Sequence, residues 1–180
     1  MGHPTLFSIG PIATLAGKSK HRKSGLEKIR YFISRLQAEL IIIDPYFYNA
    51  ANKQSVDDYM KEISGVLCWF ERVKRIHVIY NRKYHDREIR EAFMKLQREY
   101  SCKFTDTHTK LIHDRIWMGD RSTARLLGSS FNSIGRNKIS FMLPLPSQDL
   151  TDLQYFLQEN KLIPDDMQII DTTIWGSTSE

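Results

Sequence analysis

His113-Asp114-Arg115-Ile116-Trp117-Met118-Gly119-Asp120, closed eight residues later by Gly128-Ser129-Ser130-Phe131-Asn132, decides how this chain reads. On an extended segment His113 and Arg115 share a face, roughly 7 Å apart. An imidazole that can act as nucleophile or proton carrier then stands beside a permanent, planar cation whose fork matches phosphate. Asp120 can hold a nearby imidazole or backbone group, and the Gly-Ser-Ser-x-Asn turn offers hydroxyl, amide and backbone donors. The ligand suited to such a cluster is a phosphate.

The surroundings alternate strand and helix signals. Lys18-Ser19-Lys20-His21-Arg22-Lys23 is the densest basic run and reads as a loop, with Ser24 capping a helix through about Leu36. Leu40–Ile43 is continuous and apolar, as expected of a strand covered on both faces, and stops at Asp44-Pro45-Tyr46-Phe47. Asn52 or Ser55 opens a second helix towards Arg72, Arg75–Tyr80 is a strand, and Asp86 caps a third helix to Tyr100. Cys102–Phe104, Lys110–Met118, Ala124–Gly128 and Lys138–Leu143 read as strands. A last helix capped by Ser147 or Asp149 reaches about Glu159. The tail from Pro164 is polar, with Ile169-Ile170 as its anchor. The expected fold is a mixed β-sheet flanked by helices on both faces, an α/β sandwich in one domain. Residues 1–23 form a lead-in and basic loop, 24–162 the domain, and 163–180 a C-terminal tail.

The 180 residues, 41% of them hydrophobic, suffice for one core. No apolar run approaches the roughly 20 residues of a membrane span, and the N-terminus lacks a basic start followed by a long apolar stretch. A cytoplasmic protein without a transmembrane segment is expected. Cys68 and Cys102 lack metal-site spacing and read as reduced, buried thiols. A net charge of +5 and a pI near 9.2 favour a polyanionic partner, with nucleic acid ahead of an anionic membrane surface. Phosphate contacts are expected from Lys18, Lys20, Arg22 and Lys23, and from Tyr46, which follows the central strand where open α/β sheets bind ligands.

Three look-alikes fail on spacing. Gly17-Lys18-Ser19 resembles the end of a phosphate-binding loop but has Ile12 where a glycine is needed. His85-Asp86-Arg87 repeats the triplet of the main motif, yet Ala92 stands in place of its aspartate, and a helix-capping role suits it better. His108, His113, Asp106 and Asp114 do not form a metal-ligand pattern, so no metal and no cofactor is expected. His77 reads as a packed, hydrogen-bonded strand residue.

His-x-cation, four residues, Asp, then a Gly-Ser-type turn with Asn resembles the phospholipase D superfamily, at His113, Arg115, Asp120, Ser130 and Asn132. In order of elements the resemblance runs over about residues 24–160, and only residues 112–136 carry motif-level likeness. Arg115 replaces the superfamily's usual Lys, as in a branch of bacterial phospholipase D-like domains, and Ser129 is an additional residue between Gly128 and Ser130. The chain holds one motif where active sites of the superfamily use two, so the resemblance implies a symmetric homodimer. It further implies a phosphodiester hydrolase, here a metal-independent nuclease acting on DNA or RNA through a phosphohistidine. His113, Arg115, Asp120, Ser130 and Asn132 would be its catalytic residues. The alternatives are a nucleic-acid-binding module with weakened catalysis and a lipid phosphodiesterase. The chain could also be one domain of a larger multidomain protein.

Overall fold

Leu40, Ile41, Ile42 and Ile43 point alternately to two different hydrophobic cores. That alternation explains why strand β1 (Glu39–Ile43) is apolar without a break: neither face meets water. The computed structural model describes residues 18–50, 54–67, 72–136 and 140–167, the side chains of 18–20 excepted. Within them, six strands form one mixed sheet. After β1 come β2 (Arg75–Tyr80), β3 (Lys103–His108), β4 (Ile116–Gly119), β5 (Thr123–Leu127) and β6 (Met142–Pro144), in the order β3-β2-β1-β4-β5-β6. The first three are parallel, and β4, β5 and β6 each run antiparallel to the preceding neighbour in that order.

Helix α1 (Lys18–Ile33) precedes β1, while α2 (Val56–Val66) and α3 (Arg87–Tyr100) are the two crossovers between parallel strands. All three cover the face lined by Leu40, Ile42, Val78 and Trp117. Helix α4 (Ser147–Glu159) covers the other, against Ile41, Ile43, Ile79 and Met118. The expected mixed sheet with helices on both faces is what the chain forms.

Several boundaries differ from expectation, each for a tertiary reason. Helix α1 begins at Lys18, so the basic run is helical rather than a loop and Ser24 lies inside the helix. Lys and Arg are good helix formers, and Arg22 is drawn inward to Glu62 of α2. Ser55 caps α2 through the Asp58 amide, and the helix ends at Val66; Asn52 and Cys68 lie outside the described residues. Strand β4 starts only at Ile116, because β1 offers it partners no further than Ile43, and 109–115 form a loop instead of the expected strand. Strand β3 extends to His108 because β2 pairs with it along its whole length. Strand β6 covers Met142–Pro144, while 137–139 lie outside the described residues. The segment after α4 is anchored by Leu162, Ile163 and Met167, not by its polar composition; Ile169 and Ile170 lie outside the described residues. No described helix is long and apolar enough to cross a membrane.

Cys102 is free and buried, and burial pushes its thiol up to about 12. His77 is also buried, its ring bonded to the Thr105 hydroxyl and the Leu162 carbonyl, each at 2.8 Å. Burial lowers its pKa below 6.5, the Leu162 carbonyl opposing. The folded state thus keeps His77 neutral while the unfolded chain takes up a proton below about pH 6.5. Stability from this group is complete above that pH and lost as pH falls towards the folded pKa. Thermal melts at pH 7 and pH 5 should show that loss, and His77→Asn should flatten it.

Candidate active site

A parallel β1-β2-β3 unit brings the carboxyl ends of its strands to one edge of the sheet, and the antiparallel β4 returns its amino end there. Asp44 follows β1 at this edge, Arg115 immediately precedes β4, and Ser130 lies just beyond the end of β5. Sequence neighbours far apart are thereby placed together.

Asp44 is the centre of the cluster and is fully buried. Its carboxylate accepts the Tyr46 amide at 3.0 Å and the Phe131 amide at 2.8 Å, tying the end of β1 to the Ser130 turn. Burial raises its pKa above the ordinary carboxylate value, opposed by those amides, by the Ser130 hydroxyl and by the charge of Arg115. Arg115 donates from Nε to Ser130 Oγ at 3.1 Å, and its guanidinium lies over the Tyr46 ring, 5.4 Å from the centroid. One edge of the guanidinium is therefore fixed, while no internal bond is drawn from its two terminal amino groups among the described residues. His113 stands two residues earlier, exposed, and makes no internal hydrogen bond among the described residues.

The turn itself is held from behind. Arg22 donates to the carbonyls of Phe131 and Ile134, lies over the Phe131 ring, and pairs with Glu62 at 2.7 Å. Glu62 also takes Arg136 at 3.0 Å and the Gln54 amide at 2.8 Å. Burial raises the Glu62 pKa, but Arg22 and Gln54, with Arg136, overcome it and hold the carboxyl below its ordinary value. Gly135 closes the turn at φ +64°, where an added Cβ would lie 2.4 Å from the His21 carbonyl oxygen. Only glycine accommodates both that conformation and that approach.

The expected site residues thus separate. Arg115 and Ser130 are bonded to each other, Tyr46 lies beside them, and His113 is on the same edge. Asn132 is turned away: its amide donates to the Asn49 carbonyl at 2.7 Å and its oxygen accepts from Ser133. It pins the turn to the loop after β1. Asp120 lies at the opposite end of β4, a strand length away, where its carboxylate accepts the amides of Gln37, Ala38 and Glu39. There the carboxylate fastens the entry to β1, apart from Arg115 and Ser130. Arg22, expected to meet phosphate, is 6% exposed and committed to internal partners. Lys23 is exposed, and the side chains of Lys18 and Lys20 lie outside the description. Asp86 caps α3, as the look-alike reading required. No metal-binding group of His, Cys, Asp or Glu occurs among the described residues.

Asp44 was missed as a site residue. Its signal was a carboxylate at the carboxyl end of an otherwise apolar central strand, where open sheets bind ligands. Glu62 and Arg136 carried no comparable signal, being 40 and 74 positions from the groups they meet.

No protein-family model and no curated protein matches the sequence. Among solved structures, NucT from Helicobacter pylori is similar at 12% identity and a TM-score of 0.54, over 78% of this chain and 89% of that one. Nuc from Salmonella typhimurium, a phospholipase D family member, is similar at 13% identity and TM-score 0.49, over 76% and 86%. TrmBL2, an archaeal chromatin protein, matches at 14% and 0.45, and this chain spans about half of it (78% and 49% covered). The chain has the phospholipase D-like fold.

Proposed function

We infer that this protein is a phosphodiesterase acting on nucleic acid, with half of an active site on each subunit of a homodimer. The observation that carries the reading is Arg115, held by Ser130 and Tyr46 near the buried Asp44, its terminal amino groups bonded to no partner among the described residues, beside an exposed His113. Such a cation is pre-positioned for a phosphate and needs no reorganisation to bind it.

In this mechanism His113 Nε2 or Nδ1 attacks phosphorus, forming a P–N bond. His113 of the partner subunit protonates the departing oxygen as the P–O bond breaks. The same partner imidazole then takes a proton from water, which attacks phosphorus, breaks the P–N bond and releases the free phosphate end. The two histidines thus act in opposite protonation states, one free to attack phosphorus and the other carrying the proton that it gives to the leaving oxygen. Arg115 stabilises the non-bridging oxygens, Ser130 fixes the edge of that guanidinium while its own hydroxyl hydrogen goes to Asp44, and Asn132 holds the turn. Nucleic acid is favoured over lipid by the net charge of +5 and the exposed Lys23, Arg82, Lys83 and Lys110.

Cleavage of DNA or RNA should persist in excess EDTA, and light scattering should give twice the chain mass. A strict metal requirement, or a strict monomer, counts against the two-histidine route. Arg115→Lys is expected to lower kcat/KM by about tenfold or more, because an ammonium cannot both stack on Tyr46 and hold Ser130 while offering a fork. Recovery of activity in that variant would mean that the arginine is a handicap. A second reading, a phosphate-binding module without turnover, is favoured by Arg115 itself and by the inward amide of Asn132. It predicts salt-dependent binding with no cleavage of any nucleic acid.

A further inference from the structure

Tyr46 and Tyr84 stand outside both hydrophobic cores, although Phe47 and Tyr48, which follow Tyr46, are fully buried. The tertiary structure brings them together. The turn after β2, Arg82–Tyr84, is docked on the segment after β1 by Asn81 N–H to the Pro45 carbonyl at 3.2 Å and Asp86 N–H to the Tyr48 carbonyl at 2.6 Å. Asn81 is buried and its side chain accepts the Lys83 amide, so the turn is built rather than loose. The two rings lie 4.6 Å apart at 30°, both partly exposed. Arg115 contacts Tyr46 at 5.4 Å, and the ammonium of exposed Lys83 lies over Tyr84, also at 5.4 Å. The result is a cation, two rings and a second cation, leading outward from the phosphate-binding group.

A nucleotide chain has the complementary make-up, an anion followed by a flat aromatic base. The Lys83 side chain over Tyr84 is exposed and rotatable, so a base can take its place on the ring while the ammonium moves to the adjoining phosphate. Tyr46, in contrast, is occupied by its Asp44-bonded backbone, Tyr84 and Arg115, and acts as the foundation. We propose that Tyr84, backed by Tyr46 and fringed by Arg82 and Lys83, is a stacking subsite for an unpaired nucleobase next to the phosphate held at Arg115. This rests on the nucleic-acid reading above. Because every base offers a π face, the subsite is indifferent to sequence, and because bases within a duplex have both faces covered by their stacked neighbours, it favours single strands.

The test uses His113→Ala protein in excess EDTA, which keeps the probe intact, and fluorescence anisotropy with two labelled single-stranded oligonucleotides. One is ordinary and one has the same backbone with abasic sites. Tyr84→Ala should weaken binding of the ordinary strand by about tenfold and leave the abasic strand unchanged. Tyr84→Trp should hold the ordinary strand at least as tightly as the parent, and Lys83→Ala should weaken both strands and reduce the salt dependence. Equal binding of the two strands by the parent, or an equal loss on both with Tyr84→Ala, overturns the subsite and leaves the phosphodiesterase reading standing. Failure of the parent to bind either strand overturns both.

Discussion

Replacing His113 by alanine is expected to lower turnover of a nucleic-acid phosphodiester by at least about a thousandfold, with binding retained. The expectation follows from the division of roles. In the proposed mechanism Arg115 holds the phosphate, and its bond to Ser130 is independent of His113, so removing the imidazole would take away nucleophile and proton carrier without disturbing the arginine. In a symmetric dimer the substitution removes both roles at once. Single-turnover cleavage in EDTA measures the loss, and anisotropy with the same oligonucleotide measures the binding. A loss below tenfold would remove His113 from the chemistry. Arg115→Ala should behave differently, weakening binding and the salt dependence together. Alkaline quenching of the unsubstituted protein during turnover should trap phosphorus on histidine, because the P–N bond survives base and is cleaved by acid, and the His113→Ala protein should trap none.

The second large effect is on folding. Arg22→Leu is expected to cost about 3 kcal/mol, because it breaks a largely buried ion pair and leaves Glu62 with Arg136 and Gln54 alone. In this chain the loss is compounded: the carbonyls of Phe131 and Ile134 lose their guanidinium donor, and the Phe131 ring loses its stacked cation. Urea unfolding measures the change, and a thermal shift of roughly 10 °C should accompany it. Double substitution of Arg22 and Glu62 by leucine should cost less than the sum of the single changes, since the two side chains share one interaction. The pH dependence carries the same signature. Glu62 has a depressed carboxyl pKa, so its contribution is fully present above about pH 4.5 and lost as pH falls through the folded value. Arg22→Leu should shrink that acid sensitivity. Because Arg22 also holds the turn bearing Ser130, milder replacements such as Arg22→Lys should lower activity before they unfold the protein.

Periodicity made much of the architecture readable. The continuous apolar run at Leu40–Ile43 announced a strand covered on both faces, and it is the strand that separates the two cores. Asp86 and the apolar spacing behind it marked α3 with its observed bounds. Where the sequence reading failed, a distant partner had decided the outcome. The basic run reads as a loop until Glu62 draws Arg22 inward, and the segment before Ile116 reads as strand until its neighbour β1 ends. Asp120 shows the same limit within the site, since its place in the motif is legible but its bonds to Gln37, Ala38 and Glu39 are not.

By itself, then, the amino-acid order determined the layered α/β class and the presence of a His-x-Arg and Gly-Ser-Ser-x-Asn pair, because these depend on local spacing and on which residues must leave water. Only the tertiary structure decided which members of that pair meet. Arg115 reaches Ser130 because an antiparallel β4 starts where parallel β1 ends, and Asp44 joins them because its buried carboxylate needs the amides of Tyr46 and Phe131. Asn132 and Asp120 are drawn elsewhere by backbone groups that would otherwise lack partners.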